Sequence, residues 1–172
     1  MSAYKRQMAK ELASGERNDS LFLGIYLGMP AQEFYDHCWK LNRQRLVKEG
    51  PQNASVEYKL GELKSPGKMF FYPVFHEGKI HKMRLTFTYD AWAIWNKQLY
   101  SDQLIHDVIR IFERWYGGKF MEIKSKKGPS VFVHMDGNRR ISLWIKDDMI
   151  VRGLMIDMSI DDGKEKNNNV LD

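Results

Sequence analysis

Two stretches of the chain place apolar side chains three and four positions apart, which is the spacing of a helix that buries one face. The stronger stretch predicts a helix over 101–116, because it begins with a serine suited to capping and Gly117-Gly118 ends the pattern. The other predicts a helix that begins near Pro30, a residue suited to a first helical turn, and ends near Lys48, before Gly50-Pro51.

After the Pro30 helix, alternating apolar and polar residues predict three antiparallel strands, at 56–60, 69–76 and 80–89. Glu77-Gly78 is a natural two-residue hairpin turn, because glycine accepts the positive φ that such turns need. Pairing His76 with Lys79 then predicts one apolar face and one mixed face. The apolar face comprises Phe70, Tyr72, Val74, His81, Met83, Leu85 and Phe87. The mixed face comprises Met69, Phe71, Pro73, Phe75, Ile80, Lys82, Arg84, Thr86 and Thr88.

The second half predicts four strands by the same alternation, at 120–124, 131–135, 140–146 and 149–158. Its apolar face comprises Phe132, His134, Ile141, Leu143, Ile145, Ile150, Leu154 and Ile156. Its mixed face comprises Val131, Val133, Met135, Arg140, Ser142, Trp144, Val151, Gly153 and Met155. A short turn at Asp147-Asp148 places Trp144 beside Val151 and Ser142 opposite Gly153, so the glycine leaves a shallow depression next to the indole.

The predicted fold class is therefore α+β: two units, each a helix followed by an antiparallel meander, with the helices on one sheet face. In the first segment, Met8 and Leu12 share an apolar face, which predicts a frayed arm or a short docked helix. Alternation over 21–27 predicts a short strand or extended segment after it. The organisation in chain order is a polar N-terminal arm at 1–20, a first unit at 21–89, an aromatic connector at 90–100, a second unit at 101–160 and a disordered tail at 161–172. Because the element order occurs twice, we predict an internal repeat.

Two successive helix-meander units, the first introduced by Leu27-Gly28-Met29 and a helix that carries Phe34, resemble the beta-lactamase-inhibitor-protein-like fold. The small outer-membrane assembly lipoproteins share this fold in single-copy form. The resemblance covers roughly 21–160. It implies a curved sheet with helices on one face and a protein partner on the other. The chain differs from that family in having no signal-peptide pattern, no lipid-attachment cysteine near the start and no paired cysteines, which argues against an exported role.

Charge adds one clue about the partner. The 172 residues carry 27 Lys and Arg against 22 Asp and Glu, a formal net charge of +5. From Asp157 onward the charge is −3, so the preceding body carries +8. Such a body attracts an acidic partner, whether nucleic acid, an anionic membrane or an acidic protein, unless the cations simply solvate the surface.

Targeting signals are weak. The longest apolar stretch, Leu21 to Ala31, contains two glycines and a proline and is too short to cross a bilayer, so we expect no transmembrane segment. If Met1 is the native start, we expect a cytoplasmic protein. If a signal peptide has been removed from the chain, we expect an exported one.

Candidate catalytic and metal-ligating residues are few. Cys38 is the one cysteine, which excludes an intrachain disulfide, and His37 points roughly 100° away from it on a helix. His76 and His81 lie diagonally on one hairpin, yet no further ligand is near them in sequence. Phosphate-binding loops with GxGxxG or GxxxxGK spacing are absent. We therefore expect no catalytic residue, no metal and no cofactor.

The mixed faces form the best candidate binding surface, because Arg, Trp and Met are typical of the centres of protein interfaces. We predict that the residues in contact with a partner are Phe71, Phe75, Arg84, Met135, Arg140, Trp144 and Met155. Burial of Trp144 between the two halves is the alternative. The predicted function is a non-enzymatic protein that binds a protein partner. The first alternative is a small basic nucleic-acid-binding protein, and the second is an enzyme of unknown chemistry.

Overall fold

The computed structural model describes residues 1–160, which form three α-helices and one eight-stranded antiparallel sheet in an α+β fold. The predicted tail at 161–172 lies outside the described residues. The helices are α1 (Ala3–Ser14), α2 (Ala31–Arg43) and α3 (Ser101–Tyr116). The strands are β1 (Val47–Glu49), β2 (Val56–Lys59), β3 (Gly67–His76), β4 (Lys79–Tyr89), β5 (Met121–Ile123), β6 (Val131–Asp136), β7 (Arg139–Ile145) and β8 (Val151–Asp157). None of these helices has the length and apolar character needed to span a membrane.

The two meanders join into one sheet, whose strand order is β1-β2-β3-β4-β8-β7-β6-β5. Each half of the chain comprises a helix followed by a meander of four strands. The last strands of the two meanders, β4 and β8, pair at the centre of the sheet. The element order is therefore the same in both halves, and the halves meet edge to edge through hydrogen bonds rather than face to face.

Helices α2 and α3 pack on the same face of this sheet, which we call the helix face. Phe34 of α2 and the apolar side of α3 join one core with Phe71, Phe87 and Leu143 of the sheet. Phe112 of α3 contacts Phe87 edge to face, with ring centroids 5.7 Å apart. Burying each such large side chain contributes about 1.5–3 kcal/mol, so this core is the main source of stability.

Helix α1 lies on the opposite face, which we call the non-helix face. Its Tyr4 and Met8 pack against the β6 side chains Val131, Val133 and Met135. The side chains between these on β6 point the other way, and Phe132 packs against the helix-face core. The arm is thus a docked helix that covers one part of the sheet.

The structure differs from two predictions near α2, one on where this helix ends and one on the segment before it. Helix α2 ends at Arg43, and the next residues form strand β1 instead of continuing the helix. Arg45 has a positive φ of 59°, which ends the helical path. The segment 21–27 is not a strand, because Leu23 and Gly24 both have positive φ and reverse the chain. The Leu21 amide donates to the Ile25 carbonyl across this turn, and both side chains join the core.

The β3–β4 hairpin departs from the predicted register at a bulge between Val74 and Phe75. Pro73, which has no amide to donate, immediately precedes the bulge. Beyond it, Phe71 pairs with Leu85, whereas the predicted register pairs it with Arg84. The predicted faces of β3 are therefore exchanged relative to most of β4, so Phe71 lies on the helix face and Tyr72 on the non-helix face.

The β7–β8 hairpin is also one residue out of the predicted register. Ile145 pairs with Val151, because the intervening loop is wider than a two-residue turn. The Asp147 side chain accepts hydrogen bonds from the Met149 and Ile150 amides and holds this wider loop. The pairings observed are Trp144 with Arg152, Ser142 with Leu154, and Leu143 with Gly153.

The glycine depression beside Trp144 therefore does not exist. Gly153 lies on the helix face, where an added Cβ would stand 2.9 Å from Leu143 and 3.2 Å from Leu85. Glycine is needed here so that these two core leucines can approach the backbone of β8.

Candidate functional site

Strand pairing aligns the side chains of the non-helix face in rows that cross the sheet, with neighbours about 5 Å apart. The first row is Lys48, Glu57, Phe70, Thr86, Arg152, Trp144, Val131 and Ile123. The second row is Tyr72, Arg84, Leu154, Ser142, Val133 and Met121. The third row is Val74, Lys82, Ile156, Arg140 and Met135.

These rows divide the face into two regions of different character. The open half comprises Phe70, Tyr72, Arg84, Thr86 and Arg152. The covered half comprises Val131, Val133, Met135, Arg140 and Ser142. Trp144 lies at the border, half-buried, with Arg152 on one side and Val131 on the other. Because the two meanders join edge to edge, Trp144 is not buried between them.

The open half places two arginines and two aromatic rings on adjacent strands. Arg84 and Arg152 are exposed and lie diagonally across the β4–β8 pair, a spacing of about 7–8 Å. Within residues 1–160, neither guanidinium makes an ion pair or a hydrogen bond. Tyr72, opposite Arg84, keeps 44% of its surface exposed, and Phe70 beside it is half-buried. Two guanidinium groups with free donors therefore lie next to accessible aromatic rings.

The charge of the strand residues on this face is strongly positive. The cations are Lys48, Lys59, Lys68, Lys82, Arg84, Arg140 and Arg152, and the one acid on these strand positions is Glu57. Glu57 pairs with Lys48 at 3.2 Å, and Lys68 pairs with Asp90 at 3.6 Å. Arg84 and Arg152 have no such partner within residues 1–160, so this face keeps a positive potential.

The covered half is held under α1 by few contacts. The Arg140 Nη1 donates to the Tyr4 hydroxyl, and the Tyr4 ring lies 5.9 Å from the guanidinium carbon. The Glu11 carboxylate accepts a hydrogen bond of 2.8 Å from the Gly137 amide. No residue of α1 is buried.

The predicted partner-contact residues separate into three groups. Arg84 and Trp144 are accessible on the non-helix face. Met135 and Arg140 are on that face but buried. The other three lie on the helix face: Phe71 and Met155 are fully buried in the core, and Phe75 packs against Phe34 and Tyr35 of α2. As partner contacts, Phe71, Phe75 and Met155 are therefore wrong, because the bulge and the wide loop turn them away from this surface.

Four residues of the open half, Phe70, Tyr72, Thr86 and Arg152, were missing from the predicted set. Phe70 and Tyr72 were assigned to the apolar core face, and Arg152 was assigned to no face. The signal that could have found Phe70 and Tyr72 is Pro73, since proline inside a strand favours a bulge and hence a change of register.

A second polar cluster lies on the helix face, at the end of β6 and β7. Arg139 donates through Nε and Nη2 to the Asp136 carboxylate and through Nη1 to the Ser20 carbonyl, and its guanidinium carbon lies 4.6 Å from the centre of the Tyr116 ring. His134 Nε2 lies 3.6 Å from Asp136 Oδ2, and this carboxylate is the main reason that the pKa of His134 is raised. All three nitrogens of the Arg139 guanidinium donate hydrogen bonds, so Arg139 fixes the end of the β6–β7 hairpin.

The side chains with nucleophilic or metal-binding chemistry are also accounted for. Burial raises the pKa of the Cys38 thiol to about 11, which keeps it protonated at neutral pH. The His37 Nε2 lies 2.6 Å from the Leu23 carbonyl oxygen. Among residues 1–160, no three His, Cys, Asp or Glu side chains are grouped so as to hold a metal ion.

Comparison of the chain with models of known protein families, with curated proteins and with solved structures found no match. The residues of the chain itself therefore carry the functional inference.

Proposed function

We propose that this chain is a non-enzymatic binding protein, and that the open half of its non-helix face holds an acidic surface of a protein partner. The observation that carries this proposal is the pair Arg84 and Arg152, two exposed guanidinium groups without a counterion in the described chain, beside the accessible ring of Tyr72. Arginine and tyrosine are the residue types that contribute most to binding at protein interfaces.

A protein partner fits this surface better than nucleic acid does. A nucleic acid contacts a line of cations along its phosphates, whereas Lys48 and Lys68 are already paired with acids. The surface instead carries the aromatic rings of Phe70 and Tyr72 beside its arginines, which matches the aromatic and arginine content of a protein interface.

We also propose that the chain has the beta-lactamase-inhibitor-protein-like fold and that its two units are an internal repeat. The order of one helix and four antiparallel strands, found twice, supports both proposals. In the family that the sequence resembles, the face opposite the helices grips a protein, which agrees with a binding role for the open half.

Site-specific crosslinking tests the proposed function. A photoreactive phenylalanine derivative replaces Tyr72 in the full chain, in cells of the source organism, and mass spectrometry identifies the adduct. The matched control carries the same group at Tyr35, which is exposed on α2 on the other side of the sheet. We expect one protein adduct at Tyr72 and none at Tyr35. A nuclease-sensitive adduct at Tyr72 would favour the nucleic-acid alternative.

The identified protein is then purified and its affinity is measured by calorimetry. The variant Arg84→Glu/Arg152→Glu should bind at least about thirty-fold more weakly, a loss of about 2 kcal/mol. The control Lys40→Glu/Arg43→Glu makes the same charge change on exposed residues of α2 and should bind like the native chain. Equal affinity of both variants would show that the open half is not the binding surface.

A further inference from the structure

Arg140 is a buried cation whose hydrogen-bonding capacity is mostly unused. Its exposed fraction is 5%, and its one hydrogen bond within residues 1–160 goes from Nη1 to the neutral hydroxyl of Tyr4. The Nε and Nη2 atoms have no partner. Burying a charge without an acid or a full set of hydrogen bonds costs stability, so the native chain retains an unfavourable group at this position.

The cross-strand neighbours of Arg140 are apolar, and one further unpaired polar group lies on the same strand. Met135 and Ile156 flank it in its row, and both are buried. The Ser142 hydroxyl, two positions along β7, is fully buried and also has no hydrogen-bond partner. Two polar groups thus point from the same strand into the region that α1 covers, with donors to spare.

The two unused nitrogens of Arg140 define the ligand. Nε and Nη2 are the adjacent nitrogens along one edge of a guanidinium, and their parallel N–H groups match the two oxygens of a single carboxylate. The free edge of Arg140 therefore matches an Asp or Glu carboxylate both in geometry and in charge.

Helix α1 makes few contacts with the sheet. It has no buried residue, its apolar contacts are made by Tyr4 and Met8, and the chain after it turns at Gly15, whose φ is +69°. Tyr4 and Met8 are one helical turn apart, so the covered half already accepts a helix through an i, i+4 pair.

We propose that the covered half is a second subsite for the protein partner, which inserts an amphipathic helix there in place of α1. A carboxylate of that helix, at the position of Tyr4, pairs with Nε and Nη2 of Arg140, and an apolar side chain takes the place of Met8. This rests on the proposed function in so far as the occupant is part of a protein partner. Helix α1 then occupies the subsite when no partner is bound, with Tyr4 where the partner helix has its carboxylate.

The first test places the acid in the full-length chain itself. Tyr4→Glu and Tyr4→Gln are compared, each with Arg140 and with Arg140→Met. We expect Tyr4→Glu to melt at least about 2 °C higher than Tyr4→Gln when Arg140 is present, and at the same temperature when it is replaced. Equal melting temperatures in the presence of Arg140, including the case in which both substitutions release α1, would overturn the carboxylate assignment.

The second test supplies the helix from outside. The probe is a fluorescent peptide of residues 1–17 carrying Tyr4→Glu, and the host is the full chain with Tyr4→Ala and Met8→Ala, which loosen α1. We expect this peptide to bind at least about ten-fold more tightly than the Tyr4→Gln peptide, and to lose that advantage on a host that also carries Arg140→Met. Absence of binding by either peptide would overturn the displaceable subsite. A host that dimerises in sedimentation experiments would indicate that a second copy of α1, not a partner helix, is the occupant.

The outcomes separate the two proposals. The host with Arg84→Glu/Arg152→Glu keeps the covered half intact, so it should still bind the acidic peptide even when it no longer binds the partner. If crosslinking at Tyr72 gives no partner while the peptide result holds, the open half fails and the carboxylate subsite stands. If the partner binds equally well to Arg140→Met, the subsite fails as a partner contact and the open half stands.

Discussion

Arg139 and Arg140 are neighbours on β7, are equally buried at 5% exposure, and lie on opposite faces of the sheet. On the helix face, Arg139 uses all three guanidinium nitrogens on Asp136 and Ser20. On the non-helix face, Arg140 uses one. A buried charge whose donors all have partners has a structural role. A buried charge with unsatisfied donors lowers stability, and a ligand that satisfies them better explains why it is there.

Strand β3, in the other meander, shows the same contrast between the two faces of the sheet. Its adjacent residues Phe71 and Tyr72 give the largest expected difference in the free energy of unfolding. Phe71 is fully buried in the helix-face core and contacts Phe22 with ring centroids 4.9 Å apart, so Phe71→Ala should lower the free energy of unfolding by about 3–5 kcal/mol. Tyr72→Ala, on the open half, should change it by less than about 0.5 kcal/mol. Urea denaturation measures both. A large loss for Tyr72→Ala would mean that the open half is part of the core and not a binding surface.

Replacing each buried arginine with methionine compares the two faces directly. Arg139→Met removes the cation that neutralises Asp136 and leaves this carboxylate partly buried, so we expect a loss of about 3 kcal/mol in the free energy of unfolding. The measurement is the urea midpoint at neutral pH. A loss smaller than about 1 kcal/mol would contradict the structural role that we assign to the helix-face cluster.

The same substitution at Arg140 should have the opposite sign. Arg140→Met removes an underused charge from an apolar site and keeps a long side chain to fill it, so we expect a gain of about 1 kcal/mol. Arg84→Met, on the exposed surface, is the control and should leave the midpoint nearly unchanged. Destabilisation by Arg140→Met would indicate that the contact with Tyr4 already satisfies Arg140, and the distinction between the two arginines would then fail.

Sequence patterns predicted the α+β class, helix α3 and most strands because each depends on a repeated spacing that a long segment displays many times. They assigned faces incorrectly at Phe71 and Met155 because the period of a strand is two residues. One bulge after Pro73 and one extra loop residue near Asp147 each reverse the orientation of every side chain that follows. Such local irregularities depend on turn and loop geometry, which hydrophobic alternation does not encode.

The candidate site shows the same limit. Arg84, Trp144 and Arg140 were predicted on the correct face, but no pattern indicated that α1 would divide this face into open and covered halves. The sequence favoured Met8 and Leu12 as the apolar pair of the arm, whereas the docked helix uses Tyr4 and Met8 and leaves Leu12 40% exposed. The contact of Tyr4 with Arg140 joins residues far apart in sequence, so it depends on the tertiary structure and no local sequence pattern indicates it.

The smallest expected effect concerns pH and the histidine of the helix-face cluster. Asp136 raises the pKa of His134 in the folded chain above its ordinary value of 6.5, so the protonated imidazole stabilises the fold. This contribution is complete below about pH 6.5 and is lost as the pH rises through the folded pKa. The difference in the free energy of unfolding between the native chain and His134→Gln should therefore be larger at pH 5.5 than at pH 8.5, by less than about 1 kcal/mol.

The control is His106→Gln, which replaces an exposed histidine on α3 and gives the background for the same measurement. A difference that grew with rising pH would show that the folded chain favours the neutral imidazole. His134 and Asp136 would then not form an ion pair, and the contrast between the paired charges of this cluster and the unpaired charge of Arg140 would fail.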